Sequence, residues 1–288
     1  MADGILIIDR PADWTSMDVC AKLRGIFHEK KVGHAGTLDP MATGVLPVFL
    51  GKATKAVSFA ECGEKTYEAV LRLGTVTDTQ DITGTVLEQH EVRVTREMLE
   101  AVLPRFSGEL EQLPPMYSAI KVNGQKLYAI ARRGGTVDRA MRRITVFELS
   151  LLAQLSPTDF TLRITCSKGT YIRTLCHDIG AALGCGGTMA ALRRTMAAGF
   201  SLAEAVTLPQ AQEGKERLLL PTDVLFRDRP AYALSNAETE RRVRCGNCVP
   251  IAGLADGEYR VYGADGSFLC LSRMENGTFT SIRNFFGE

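Results

Sequence analysis

Apolar residues occur along this chain mostly in short runs of five to nine residues, the length of a strand. Gly4 to Ile8 is a continuous apolar run, and Thr66 to Leu73, Ile144 to Leu151 and Phe160 to Cys166 are further runs or alternations of strand length. Thr85 to Leu87 adds a shorter strand. Helical spacing lies between them: Ser16 can cap a helix reaching about Phe27, and Thr95 with Met98 as its third residue opens another to about Val102. A third helix spans Thr170 to Leu183 and stops at Gly184. Strands are not regularly followed by helices of crossover length. The pattern therefore predicts an α+β chain with a mixed, mostly antiparallel central sheet and flanking helices.

Near the C-terminus the texture changes. The polar, proline-bounded stretch Pro221 to Pro230 reads as a linker. Beyond it, Tyr259 to Tyr262, Phe268 to Leu271 and Thr278 to Ile282 are strand-like runs separated by Ala-Asp-Gly and Glu-Asn-Gly, which is hairpin chemistry. The expected division is a large domain over 1–228 and a small β-barrel-like module over 229–288.

At 288 residues, with 45% hydrophobic and 23% charged residues, the chain can bury a sizeable core. It has no apolar run near the roughly 20 residues a membrane helix needs. Met-Ala-Asp-Gly lacks the basic region and cleavage site of a signal peptide, so a cytoplasmic location is expected. The 8 cysteines are scattered, which predicts free thiols. Only Cys245 and Cys248 form a Cys-x-x-Cys pair, and no further ligands accompany them or the His177-Asp178 pair, so no metal site is expected.

The net charge of +1 hides a local excess. Between Gln112 and Leu149 stand Lys121, Lys126, Arg132, Arg133, Arg139, Arg142 and Arg143 against only Asp138 and Glu148. Such a stretch suits phosphate binding, although charge alone favours that no more than a solvated face.

The chemistry concentrates between His34 and Pro47, His-Ala-Gly-Thr-Leu-Asp-Pro-Met-Ala-Thr-Gly-Val-Leu-Pro. Gly36, Pro40 and Gly44 shape a stiff loop that presents a lone carboxylate, Asp39, as a candidate nucleophile or base. With Gly33, the string resembles the catalytic motif of the TruB family of tRNA pseudouridine synthases, whose Asp is essential. Further segments match that family in order. Asp9-Arg10-Pro11-Ala12-Asp13-Trp14-Thr15-Ser16 is similar to its first motif, with Arg10 where the family has Lys and Asp13 where it has Gly. Lys65-Thr66-Tyr67 is similar to a strand whose Tyr stacks on the target base and serves in proton transfer. Pro114 to Gly134 resembles an insertion that grips the T arm, and Ser167 to Leu175 carries the Arg that pairs with the catalytic Asp. Leu192-Arg193-Arg194-Thr195 resembles the segment whose Leu floors the uracil pocket.

The resemblance implies the pseudouridine synthase fold and conversion of uridine to pseudouridine at position 55 in the T loop of tRNA, by base flipping and an aspartate-dependent rearrangement. Asp39, Tyr67 and Arg173 would be catalytic, with Arg173 keeping Asp39 ionised. His34 would fill the stack left by the flipped base, Tyr171, Leu192 and Lys168 would meet the substrate, and Lys121, Lys126, Arg132 and Arg133 would grip phosphates. Lys168 and Gly169 lack the glycine spacing of a P-loop, and neither a nucleotide nor any other cofactor is implied. The C-terminal module stands where the family has a PUA-like RNA-binding barrel, and a monomer is expected. The alternative is a noncatalytic tRNA-binding or RNA-folding protein, which would explain the basic insertion but not Asp39 with Tyr67 and Arg173.

Overall fold

The computed structural model describes residues 2–122 and 124–287. The chain begins with β1 (Gly4–Arg10), α1 (Ser16–Phe27), β2 (Val32–His34), β3 (Thr43–Leu50), α2 (Val57–Cys62) and β4 (Lys65–Leu73). The hairpin β5 (Thr75–Thr77) and β6 (Val86–Gln89) follows, then α3 (Arg96–Val102) and β7 (Gly108–Gln112). A lobe holds the small hairpin β8 (Lys121–Val122) and β9 (Gln125–Lys126) with α4 (Leu127–Ala131). The sheet resumes with β10 (Arg142–Gln154), β11 (Asp159–Cys166), α5 (Ile172–Ala182), β12 (Gly187–Ala197) and β13 (Phe200–Ser201), and α6 (Leu208–Gly214) closes this part. Of the basic stretch singled out from sequence, Arg142 to Leu149 belong to the central sheet, and the lobe itself carries the rest.

The central sheet has the order β1-β3-β12-β4-β11-β10-β7, with β2 beside β3 and β13 beside β12. Every neighbouring pair is antiparallel except β12 with β3. The mostly antiparallel α+β architecture expected from the pattern is therefore present.

The continuous apolar run of β1 has a simple cause: both of its faces are buried. Ile5 and Ile7 face one cluster with Phe49, Ala53 and Phe200, while Leu6 and Ile8 face another with Val19, Leu23 and Phe27 of α1. On β4, Tyr67, Ala69, Leu71 and Leu73 alternate into a third cluster, covered by Ile172, Leu175 and Ile179 of α5.

Three elements differ from the sequence expectation. Thr15, not Ser16, caps α1, in a capping box with Asp18. Ser16 is instead buried inside the first turn, where its hydroxyl accepts from Leu38 N–H at 3.2 Å. α5 begins at Ile172 with Tyr171 as its N-cap, because Ser167 to Thr170 form a turn closed by a bond from the Thr170 hydroxyl to the Ser167 carbonyl at 3.0 Å. The glycine- and proline-punctuated motif is a loop only to Ala42; from Thr43 it continues as β3.

The C-terminal strands are β14 (Ala231–Ala233), β15 (Val249–Pro250), β16 (Gly257–Tyr262), β17 (Phe268–Glu275) and β18 (Thr278–Asn284), with α7 (Ala237–Arg244) after the first of them. They form one sheet in the order β14-β16-β17-β18-β15, open at both ends as a half-barrel rather than a closed ring. One side has its own core of Val243, Tyr259, Val261 and Phe279. The other side lays Phe268, Leu271, Ile282 and Phe285 onto Phe226 and the Ile5, Ile7 and Phe49 cluster of the large sheet. Phe226 alone meets Phe59, Phe268 and Phe285 at ring-centroid distances of 5.3, 6.2 and 5.9 Å.

Candidate active site

Asp39 sits in the loop between β2 and β3, and a tight turn fixes it: Pro40 follows, and Ala42 N–H donates to the Asp39 carbonyl at 3.0 Å. Beneath the loop lies Arg10, wholly buried at the end of β1. Its Nη2 donates to the carbonyls of Asp39, Pro40 and Ala42, and its Nη1 to those of Trp14 and Leu38. Burial and the neighbouring Arg194 bring this guanidinium down to about 10, so it remains charged at neutral pH. Arg in place of Lys thus supplies a planar donor fork that a single ammonium would not match. Asp13 adopts the left-handed backbone, φ 64°, that glycine would take most easily, and its N–H donates to the Pro40 carbonyl at 3.0 Å.

Arg173, in the first turn of α5, is the counter-charge. Its Nη2 lies 3.2 Å from Asp39 Oδ1 and donates to the Tyr117 carbonyl at 2.9 Å, while its Nη1 lies 3.4 Å from Asp81 Oδ2. Asp81 was not singled out from sequence. It is buried, accepts from the Thr79 hydroxyl at 2.9 Å and from Thr83 N–H at 3.0 Å, and is bonded by the Thr83 hydroxyl as well. The signal was the spacing Thr79-x-Asp81-x-Thr83-Gly84, in which flanking hydroxyls satisfy an acid that turns inward. Arg173 therefore stands between two carboxylates.

The net effect on Asp39 differs from the expectation that Arg173 keeps it ionised. Burial raises the Asp39 pKa and outweighs the lowering by Arg173, and the Asp81 charge raises it further. The carboxylate is still about a third exposed, against 7% for the Arg173 side chain, so it is open to solvent while its partner is buried.

Tyr67 lies on β4 with its phenol buried, and burial raises its pKa. It shares one apolar cluster with Leu38, Ala42 and Leu192. His34 ends β2, half-buried, with Nδ1 turned inward and unpartnered. Burial first, then Arg194 and Arg10, lower its pKa, which favours the neutral imidazole. Tyr171 is clamped through its backbone by the Gln112 amide, at 2.8 and 3.0 Å.

The remaining sequence-selected residues lie further out. Lys168 is exposed, with Nζ 3.2 Å from Cys62 Sγ. Lys121, Lys126, Arg132 and Arg133 are all exposed on the lobe, with Lys126 Nζ and the Arg132 guanidinium 5.4 and 5.5 Å from the Tyr128 ring centre. The lobe joins the site through the Tyr117 carbonyl on Arg173. A separate groove of about 730 Å³, lined by Asp9, Trp14, Lys22, Leu208 and Pro209 among others, contains none of these side chains. Among the described residues no group of three or more His, Cys, Asp or Glu could hold a metal, and no helix is long and apolar enough to cross a membrane.

A chain in the solved structure of a Cbf5-Nop10-Gar1 complex superposes with a TM-score of 0.75 over 99% of this chain and 85% of that one, at 25% identity. The fold is the pseudouridine synthase fold, with Arg173 paired to Asp39 and Tyr67 packed in one cluster with Leu38 and Ala42 from the Asp39 loop. Residues 24–172 match the TruB family pseudouridylate synthase N-terminal domain, and residues 173–226 match the tRNA pseudouridylate synthase B C-terminal domain. The chain belongs to the TruB family of pseudouridylate synthases. It is 48% identical over 242 residues to tRNA pseudouridine synthase B of Azoarcus sp. (strain BH72), covering 83% of this chain and 80% of that protein. It is 42% identical over 293 aligned positions to the protein of the same name from Cupriavidus metallidurans, covering 97% and 93%.

Proposed function

We propose that this enzyme converts uridine to pseudouridine at position 55 in the T loop of tRNA, with Asp39 as the essential carboxylate. The reaction breaks the bond between ribose C1′ and uracil N1, turns the base, joins C5 to C1′ and moves the C5 proton to N1 by way of enzyme or solvent. No electrons are exchanged, so a carboxylate, its guanidinium partner and a phenol suffice. The observation that carries the reading is the Asp39–Arg173 pair at 3.2 Å, open to solvent on the carboxylate side and buried on the other.

The target base is reached by extrusion, since a stacked uridine cannot meet a half-buried carboxylate. Tyr67 packs on the flipped ring and takes part in the proton transfer, Leu192 floors the pocket, and His34 fills the vacated stack. Lys168 and Tyr171 contact the substrate around the pocket. Lys121, Lys126, Arg132 and Arg133 hold backbone phosphates of the T stem-loop, beside the half-buried ring of Tyr128. We divide the chain into a catalytic domain, 1–228, carrying this lobe, and an RNA-binding β module, 229–288. The enzyme acts as a cytoplasmic monomer.

The test is an unmodified tRNA transcript incubated with the purified protein in the presence of EDTA, with Asp39→Asn in parallel. The expected outcome is pseudouridine at position 55 with wild type, and normal tRNA binding without product for the variant. Product from Asp39→Asn would remove the assignment of the carboxylate, and binding without product by wild type would favour an RNA-folding role.

A further inference from the structure

Arg194 has no role in the reading above beyond its place in a matched segment, yet it is one of the largest wholly buried side chains in the molecule. It lies on β12, paired with Gly44 of β3 on one side and with Tyr67 of β4 on the other. Directly opposed residues on adjacent strands put their side chains side by side on one face. Arg193 also bridges β3 and β4, but its side chain is partly exposed and pairs with Asp9, whereas Arg194 is wholly buried and lies directly opposite Tyr67.

Its guanidinium is shared out accordingly. Nε donates to the Val45 carbonyl at 2.7 Å, just after the loop, and Nη2 donates to the Gly36 carbonyl at 3.0 Å, just before Asp39. One side chain therefore ties the two ends of the loop together. The loop glycines fit this arrangement: a Cβ on Gly36 would come within 3.1 Å of Arg194 Nη1, and one on Gly44 would overlap the Arg194 carbonyl oxygen.

The third nitrogen, Nη1, is buried without a hydrogen-bond partner. Among the described residues no carboxylate lies within ion-pair distance of Arg194. The ionisable groups around it are Arg10, His34 and Lys65, which are basic, and the phenol of Tyr67. A buried, unpaired cation with a free N–H is costly to keep. In this enclosure the Tyr67 hydroxyl is the group best suited to accept that N–H.

We propose that Arg194 is a positioning residue for pseudouridine formation: its Nε and Nη2 fix both ends of the Asp39 loop, and its Nη1 orients the Tyr67 hydroxyl, so that carboxylate and phenol hold one geometry. This rests on the roles proposed above for Asp39 and Tyr67. Arg194 touches no substrate and acts only through these two groups.

The test compares Arg194→Lys and Arg194→Met with wild type for thermal unfolding, tRNA Kd and single-turnover rate at saturating tRNA. Lysine keeps the charge but cannot reach three acceptors. The expected result is a folded Arg194→Lys enzyme with tRNA Kd within about threefold of wild type and a rate lowered about ten- to a hundredfold, the usual effect of misplacing a reacting group. Arg194→Met should be slower still. Combined with Tyr67→Phe, Arg194→Lys should cost less than the product of the two single effects, because both changes act on one contact. A folded Arg194→Lys enzyme with a rate within about threefold of wild type, a loss that lies wholly in Kd, or strictly multiplicative double-variant effects would each overturn the proposal. Product formation by wild type and its absence with Asp39→Asn test the underlying reading separately.

Discussion

Asp39 sits in surroundings that favour the neutral acid. Burial and Asp81 raise its pKa, and Arg173 only partly offsets them. If the ionised form is the active one, the single-turnover rate should fall on the acid side with a midpoint above the ordinary aspartate value of about 3.9. Asp81→Asn removes one of the charges that raise the Asp39 pKa, so that midpoint should move to lower pH. The same change frees the Arg173 guanidinium from one of its two anchors, and the plateau rate should drop about tenfold or more. A pH–rate profile at saturating tRNA reads both effects.

The same shift bears on stability, and its sign is opposite to that of an ordinary salt-bridged carboxylate. A group whose pKa is higher in the folded chain than in the unfolded one destabilises the native state progressively as pH rises from the unfolded to the folded pKa. Asp39→Asn cannot ionise, so this variant should melt at a higher temperature than wild type at neutral pH. The difference should close below about pH 4, where both states of wild type are protonated. Melting curves at the two pH values decide it; an unchanged gap would mean that the Asp39 charge is not the source.

Among the elements, those with plain alternation or spacing were legible from sequence, and those whose composition belongs to another class were not. β4, β11 and β16 follow from period-two burial, and β17 and β18 from the hairpin turns that bound them. β12 does not, because Gly-Thr-Met-Ala-Ala-Leu-Arg-Arg-Thr-Met-Ala is rich in helix formers; pairing to β3 and β4 on its two sides overrides that preference. β3 is masked by Gly44 and Pro47. The Pro47 carbonyl accepts from Ala35 N–H at 3.0 Å, on the side where β12 pairing has ended and β2 pairing has yet to begin, so its missing N–H interrupts no ladder. The motif around Asp39 was readable because its residue types are tightly constrained, whereas Asp81 comes from a separate turn and meets the site only through Arg173. The close approach at Gly44 has a measurable cost: with φ at 102° and the Arg194 carbonyl in the way, Gly44→Ala should lose roughly 2–4 kcal/mol in urea unfolding.

At the scale of the whole molecule, the two sheets share a core instead of meeting across a free linker. Cutting the chain after Arg227 would strip Phe268, Leu271, Ile282 and Phe285 from the cluster around Ile5, Ile7 and Phe49. The truncated protein should melt at a lower temperature and aggregate through the exposed patch, as light scattering on warming would show. Loss of activity on truncation therefore says little about RNA binding by the module. Charge reversal at exposed positions is the cleaner probe: Arg242→Glu and Arg283→Glu should each weaken tRNA binding several-fold without altering the saturated rate, and no change in Kd for either would argue against RNA contact there.

Two groups of cations in this enzyme stand in opposite surroundings. Arg10 and Arg194 are sealed beneath the Asp39 loop and bonded to main-chain carbonyls, whereas Lys121, Lys126, Arg132 and Arg133 stand in solvent. Dissolved salt screens the second kind far more than the first. Raising potassium chloride should loosen the grip on tRNA steeply, while a complex already formed keeps turning over at its original pace.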